Sequence, residues 1–257
     1  VLSNVAVGYD NVDIPYATSK GVLVCNTPGV LDGAVAELVM ALILNLARGI
    51  CQSDSYVRSG SWSESHPISL GVDVQGKTLG IIGLGRIGRT VASTARAFAM
   101  RVIYYDTTRS VDLEGAGLAA YRERDEVFRD SDFVTVHSLL NDSTRHSIGR
   151  REFQLMKSRA YFINTSRGAV VRQEDLVEAL ARNEIAGAGL DVMESEPLRP
   201  DDNLCSAPNT LLLPHIGSAT VETRRRMFHL AARNLVAGLT GDIPEAAVNP
   251  EVLGSEQ

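Results

Sequence analysis

The stretch TLGIIGLGRIGRTVASTARAFA, residues 78–99, decides the fold. Near its start, Leu79 to Gly83 reads as a strand, a short apolar run of the kind that burial on both faces requires. Gly83, Gly85 and Gly88 follow in G-x-G-x-x-G spacing, and a helical pattern runs from Arg86 to Ala99. Strand, glycine turn and helix in that order bring helical N–H groups to the end of a strand, where they attract an anion. Alone the motif is weak. It gains force from Asp106, which closes the next apolar run, RVIYYD, 18 residues after Gly88. A carboxylate there would accept hydrogen bonds from the ribose hydroxyls of a dinucleotide. The bland alternative is a tight turn whose glycines serve only helix packing.

A second glycine motif lies just upstream. Gly71 to Thr78, GVDVQGKT, matches the phosphate-loop pattern letter for letter. Here Gly76, Lys77 and Thr78 precede a strand, whereas a working phosphate loop follows a strand and opens a helix, so the match reads as accidental. Outward from residues 78–99 the pattern continues as strand 101–105, helix 123–130, strands 133–136 and 160–163, helix 173–182, and strands 187–190 and 210–213. Upstream, strands at 2–7 and 22–25 flank a helix near 14–20, and one long apolar helix spans 33–57. The loop from Ser59 to Val74 follows, holding the sole tryptophan, Trp62. A last helix runs from 219 to 238. Alternating strands and helices predict an α/β fold with a mostly parallel, doubly wound sheet.

The 257 residues suit two lobes, and 44% hydrophobic with 22% charged residues is the composition of a globular protein with ample core. A net charge of -6 disfavours nucleic acid and anionic membrane as partners. The longest apolar helical run, Leu38 to Leu44, falls short of the ~18 residues of a membrane span. Cys25, Cys51 and Cys205 have no C-x-x-C spacing, so neither a disulfide framework nor a metal site is indicated, and a reducing cytoplasm is expected.

Three residues stand at strand ends in the second half: Arg167 in INTSRG, Glu196 before Pro197, and His215 after LLLP. Ligands of parallel sheets bind at the carboxyl ends of strands, so the three could converge on one crevice. Singly, each has a bland reading: a surface ion pair, a solvated loop acid and a helix-terminal packing residue. Asp106 would repel a 2'-phosphate and favours NAD, while Arg109 could pair with that phosphate and keeps NADP open.

The sequence resembles the D-isomer-specific 2-hydroxyacid dehydrogenases, most closely their glyoxylate/hydroxypyruvate reductases. The resemblance runs through AVGYDNVD at 6–13, NTPGVL at 26–31, GKTLGIIGLGRIG at 76–88, INTSRGAVV at 163–171, AGAGLDVMESEP at 186–197 and PHIGSAT at 214–220. It implies a Rossmann domain over 28–218 plus part of a flavodoxin-like substrate domain over 1–27, with 219–257 as a crossing helix and a tail returning to that domain. It implies catalysis by Arg167, Glu196 and His215. It places cofactor contacts at Gly83, Gly85, Arg86, Ile87, Gly88, Asp106, Thr107, Thr108, Thr165, Ser166, Arg167, Asp191, His215 and Gly217. Substrate contacts fall on Val7, Gly8, Arg167 and His215. The implied partners are a small 2-oxo or 2-hydroxy acid and a second copy in a homodimer, with loop residue Trp62 as a candidate for substrate-size control. Phosphoglycerate, D-lactate and phosphite dehydrogenases remain alternatives, as does a non-catalytic NAD(H)-sensing interaction protein.

Residue chemistry supports the implied roles. An imidazolium at His215 would protonate the alkoxide that forms when hydride reaches a C2 carbonyl. Glu196 would favour the charged ring and orient it, and Arg167 would hold the substrate carboxylate as a fork. One further expectation concerns length. A flavodoxin-like lobe has five parallel strands, and this sequence offers two, starting at Val1 within the apolar segment VLSNVAVG. The chain is thus expected to be short at its N-terminus by about 60–75 residues, scaled from the size of a βαβ unit. Taken as the whole polypeptide it would have an exposed strand edge and weak turnover.

Overall fold

The computed structural model describes residues 1–62 and 70–254, so part of the Ser59–Val74 loop, residues 63–69, lies outside the described residues. In chain order the first elements are β1 (Leu2–Ser3), α1 (Ile14–Ser19), β2 (Val24–Cys25), α2 (Asp32–Arg48), α3 (Ile50–Arg58), β3 (Thr78–Ile82), α4 (Arg86–Ala97) and β4 (Arg101–Tyr105). There follow α5 (Val111–Gly115), β5 (Ala120–Tyr121), α6 (Arg124–Asp130), β6 (Phe133–Val136), α7 (Arg150–Leu155) and β7 (Tyr161–Asn164). Then come α8 (Gln173–Ala181), β8 (Gly187–Leu190), β9 (Thr210–Leu212) and α9 (Val221–Thr240). The chain divides into two units, residues 1–34 with 218–257, and residues 35–217, so residues 28–34 fall in the smaller unit.

In the larger unit, seven parallel strands stand in the order β5-β4-β3-β6-β7-β8-β9. All five residues of β3 are buried, as are all four of β6 and of β8, which is why their sequences read as unbroken apolar or small-residue runs. Helix α4 buries Gly88, Val91, Ala92 and Ala95, an i, i+3, i+4, i+7 stripe that turns one face to the sheet. Phe128 of α6, Phe153 of α7 and Phe162 of β7 are fully buried in one cluster, with Phe153 edge-on to Phe162 at 5.3 Å, while Phe133 of β6 stacks on Tyr161 at 5.3 Å. The accidental phosphate-loop match ends in a turn at Gly76, φ +75°, and Thr78 enters β3.

The long helix expected at 33–57 is two helices. Gly49 takes the left-handed conformation (φ 58°, ψ 42°), and the Asn45 side chain accepts the Cys51 N–H at 2.8 Å, so α2 and α3 meet at a bend of 59°. No single helix among the described residues is long and apolar enough to cross a membrane.

In the smaller unit β1 and β2 pair in parallel, Leu2 opposite Val24, with α1 as their crossover and Asp13 capping it through the Tyr16 N–H. The expected strand at 2–7 is confined to two residues. Helix α9 joins this sheet through polar links: Ser3 Oγ donates to the Ala231 carbonyl at 2.8 Å and Asn234 Nδ2 to that of Asn26 at 3.0 Å. Asn249 returns to the same sheet, accepting the Val24 N–H at 2.7 Å.

Helices α6 and α7 of the larger unit are joined by a partly buried ion pair. Glu152 accepts from Arg124 at 2.9 Å and from the Gly149 N–H at 3.0 Å. Burial alone would raise its carboxyl; Arg124 and the N–H outweigh burial and hold it below the ordinary glutamate value of 4.5. A lowered folded value contributes stability that is complete above the ordinary value and lost as pH falls through the folded one. Glu152→Gln should therefore cost about 1–3 kcal/mol at neutral pH in urea unfolding, and the gap to wild type should be smaller at an acid pH below the ordinary glutamate value. An equal gap at both pH values would contradict this account of Glu152.

Candidate active site

Strand register aligns the site. Ile82, Val136, Asn164, Leu190 and Leu212 are successive partners in one row across the sheet, with Tyr105 opposite Ile82 on the other side. One residue beyond that row stand Asp106, Gly83, His137, Thr165 and Asp191, and three beyond it His215. Strand order reverses between β3 and β6, which is where an open parallel sheet presents its ligand crevice.

The three glycines at this point have different duties. Gly83 has φ +94°, and a Cβ on it would lie 2.7 Å from the Ser138 nitrogen. A Cβ on Gly88 would lie 2.3 Å from the Gly83 carbonyl oxygen, so its absence lets α4 close on the turn. Gly85 begins α4 without a side-chain cap, and a Cβ there would meet nothing within 4 Å. An open, uncapped helix N-terminus at Gly85, Arg86 and Ile87 fits a pyrophosphate.

Asp106 closes β4 and accepts the Leu84 N–H at 2.6 Å with one oxygen. Its other oxygen takes the Thr107 hydroxyl at 3.2 Å and the Thr108 N–H at 3.3 Å. Arg109, which could pair with a 2'-phosphate, is paired with Glu114 of α5 and lies 4.9 Å over the Tyr121 ring.

Past β7, the side chain of Asn164 folds the next three residues into a tight loop. Its oxygen accepts the N–H and hydroxyl of Ser166 at 3.0 and 2.9 Å, and its Nδ2 donates to the Arg167 carbonyl at 3.0 Å. Arg167 also donates to the Ser166 carbonyl at 2.8 Å. Thr165 Oγ1 is buried with no hydrogen-bond partner among the described residues, an orphan that a bound ligand would satisfy. At Gly168 a Cβ would fall 1.8 Å from the Met193 carbonyl oxygen, so the Arg167 loop and the loop after β8 touch backbone to backbone.

That second loop carries Glu196. Its Oε1 accepts the Met193 N–H at 3.0 Å, and its Oε2 meets His215 Nδ1 at 2.8 Å. His215 has φ +55°, the left-handed region. It is held there by Asp191, 1% exposed, whose two oxygens accept the N–H groups of Ile216 and Gly217 at 2.7 Å each. Burial pushes the Asp191 carboxyl up from its ordinary value against the pull of those two N–H groups and His215. The larger unit thus brings together Arg167, Glu196 and His215 with the glycine turn on one edge of one sheet. Val7 and Gly8 lie in the smaller unit, where their carbonyls accept from Asn26 Nδ2 and Asn4 Nδ2 at 2.8 Å each.

Sequence reasoning missed two histidines. His137 follows β6, with its backbone against Gly83; burial holds its imidazole down at about 3, so it is neutral and its Nε2 meets Thr135 Oγ1 at 3.0 Å. His146 has φ +51° and pairs with Glu194, two residues before Glu196. The E-x-E spacing of 194–196 was the available signal.

Residues 40–217 match the family model described as D-isomer specific 2-hydroxyacid dehydrogenase, NAD binding domain. The chain is similar to a glyoxylate reductase of Thermococcus litoralis, 48% identical over 99% of this chain and 78% of that protein. Among solved structures it resembles a glyoxylate reductase from Paecilomyes thermophila, with TM-score 0.89, 37% identity, and coverage of 97% of this chain and 75% of the other. It also resembles an NADPH-dependent glyoxylate/hydroxypyruvate reductase from Sinorhizobium meliloti in complex with NADP and malonate, with TM-score 0.88, 36% identity, and coverage of 95% and 76%. A glycine turn on a reversing parallel sheet, an arginine, and a glutamate-backed histidine at the strand ends agree with these likenesses, and the chain belongs to the D-isomer specific 2-hydroxyacid dehydrogenase family.

Proposed function

We propose that the protein reduces glyoxylate or hydroxypyruvate to the corresponding 2-hydroxy acid. The observation that carries the reaction type is the contact of Glu196 Oε2 with His215 Nδ1 at 2.8 Å. With Nδ1 bonded to a carboxylate, the half-exposed ring is left with Nε2 as its proton-donating atom. The choice of substrate is supported by the relatives, whose names are those of glyoxylate and glyoxylate/hydroxypyruvate reductases.

A reduced nicotinamide dinucleotide, when bound, supplies the hydride to C2 of the 2-oxo acid. Gly85, Arg86 and Ile87 would receive its pyrophosphate at the start of α4, Asp106 its ribose, and Thr165 and Ser166 the polar groups nearer the reacting end. Asp191 and Gly217 act on that end through the turn they share. Arg167 pairs with the substrate carboxylate and polarises the carbonyl, while His215 as imidazolium passes its Nε2 proton to the C2 oxygen and Glu196 carries the counter-charge. The N–H groups of Val7 and Gly8, which donate to no other described residue, are proposed as further donors to the substrate carboxylate on the family resemblance alone.

NAD is the proposed preference, because the Asp106 carboxylate repels a 2'-phosphate and Arg109 is committed to Glu114. A cytoplasmic setting accords with three free cysteines, two of them exposed, and a homodimer with the exposed apolar Ile50, Val57 and Trp62.

Three kinetic outcomes are expected. His215→Ala should lower kcat by about 100-fold or more, the scale of general acid catalysis, and an unchanged kcat removes His215 from the reaction. Arg167→Lys should mainly raise KM for the 2-oxo acid, since a point charge does not replace a fork; an unaltered KM argues against that role. NADH should exceed NADPH in kcat/KM on glyoxylate and hydroxypyruvate by about tenfold or more, and a preference for NADPH would overturn the reading of Asp106 and Arg109.

A further inference from the structure

The carboxylate that orients His215 is itself borne on a loop, and Glu194 is where that loop is tied down. One Glu194 oxygen meets His146 Nε2, and the other accepts the Gln173 N–H at the start of α8, at 3.3 Å. The Glu194 N–H in turn donates to Gln173 Oε1 at 3.1 Å. Gln173 Nε2 reaches the Asp202 carboxylate at 3.1 and 3.2 Å, and Asp202 accepts the Leu204 N–H at 2.9 Å beyond the loop. His146 also touches the other catalytic loop, its N–H donating to the Ala169 carbonyl at 2.8 Å, two residues after Arg167. It does this from a left-handed backbone, φ +51°, a conformation a non-glycine residue keeps only when its surroundings enforce it.

We propose that Glu194, clamped by His146 and Gln173, is a positioning residue that sets the Glu196 carboxylate against His215. The proposal rests on the reductase reading above. Its physical basis is that Met193 and Glu196 close a turn on themselves, so the turn's placement is fixed from outside it, by Glu194 on one side and by the Gly168–Met193 backbone contact on the other. A misplacement of about 1 Å in such a group is enough to cost orders of magnitude in rate.

The test is a double-mutant cycle with a structural readout beside it. Glu194→Ala should lower kcat on glyoxylate and hydroxypyruvate by about tenfold or more, with KM and NADH affinity within about twofold of wild type. In a Glu196→Ala background the same change should cost less than about twofold, because Glu194 then has nothing left to position. Glu194→Gln, which still accepts the Gln173 N–H, should recover part of the loss. Crystal structures of Glu194→Ala and, should that variant not fold, of His146→Ala should show Glu196 moved out of hydrogen-bond distance of His215 Nδ1. An equal loss in both backgrounds, a change in KM alone, or a Glu196–His215 contact superimposable on that of wild type would overturn the proposal. Absence of turnover in wild type would refute the reductase reading, and the crystal structures would still decide the positioning role.

Discussion

Asp191 governs the geometry of the turn that carries His215 in the larger unit. It is almost completely buried at the end of β8, and its two oxygens accept the N–H groups of consecutive residues, Ile216 and Gly217. Two donors from adjacent residues converging on one carboxylate require a tight turn, and His215 pays for it with a left-handed backbone. Gly217 fits because even a Cβ there would press on Asp191 Oδ2 at 3.1 Å. Without this grip, the imidazole would have no fixed relation to the strand ends, and Glu196 would have no fixed partner.

A second constraint acts on the neighbouring loops. Gly168 lets the Arg167 loop rest on the Met193 carbonyl, so the loops that bear Arg167 and Glu196 share one packed backbone contact. Asn164, in the strand row itself, ties its own loop through three hydrogen bonds. Loops that carry function over a rigid sheet are expected to be anchored in this way, since precision in a site depends on the groups that hold its side chains. The sheet supplies the common origin: one register row, from Tyr105 to Leu212, aligns the start of every loop.

Much of this was legible in the sequence. Strand runs such as LGII and FVTV are recognisable because burial on both faces demands continuous apolar residues, and the glycine turn because its spacing reflects a close backbone approach. Arg167, Glu196 and His215 stood out by chemical type and by following strands. What escaped depended on short or tertiary features. The helix break at Gly49 was hidden because apolar periodicity continues across it, while the left-handed turn and the Asn45 cap that cause it are local. The partner of Arg109 was invisible because α5 is five residues long, too short to show a period. His146 and Glu194 are 48 residues apart, and only the register of β6, β7 and β8 brings them together.

The proposed reaction requires Arg167 and His215 to act on one small 2-oxo acid beside a nicotinamide. The most direct measurement is a crystal structure with NADH and oxamate, a non-reacting isostere of a 2-oxo acid. The oxamate carboxylate should lie on the Arg167 guanidinium and its carbonyl oxygen within hydrogen-bond distance, about 3 Å, of His215 Nε2, with Nδ1 still on Glu196. Oxamate bound away from Arg167, or a His215 ring turned from it, would contradict the claim.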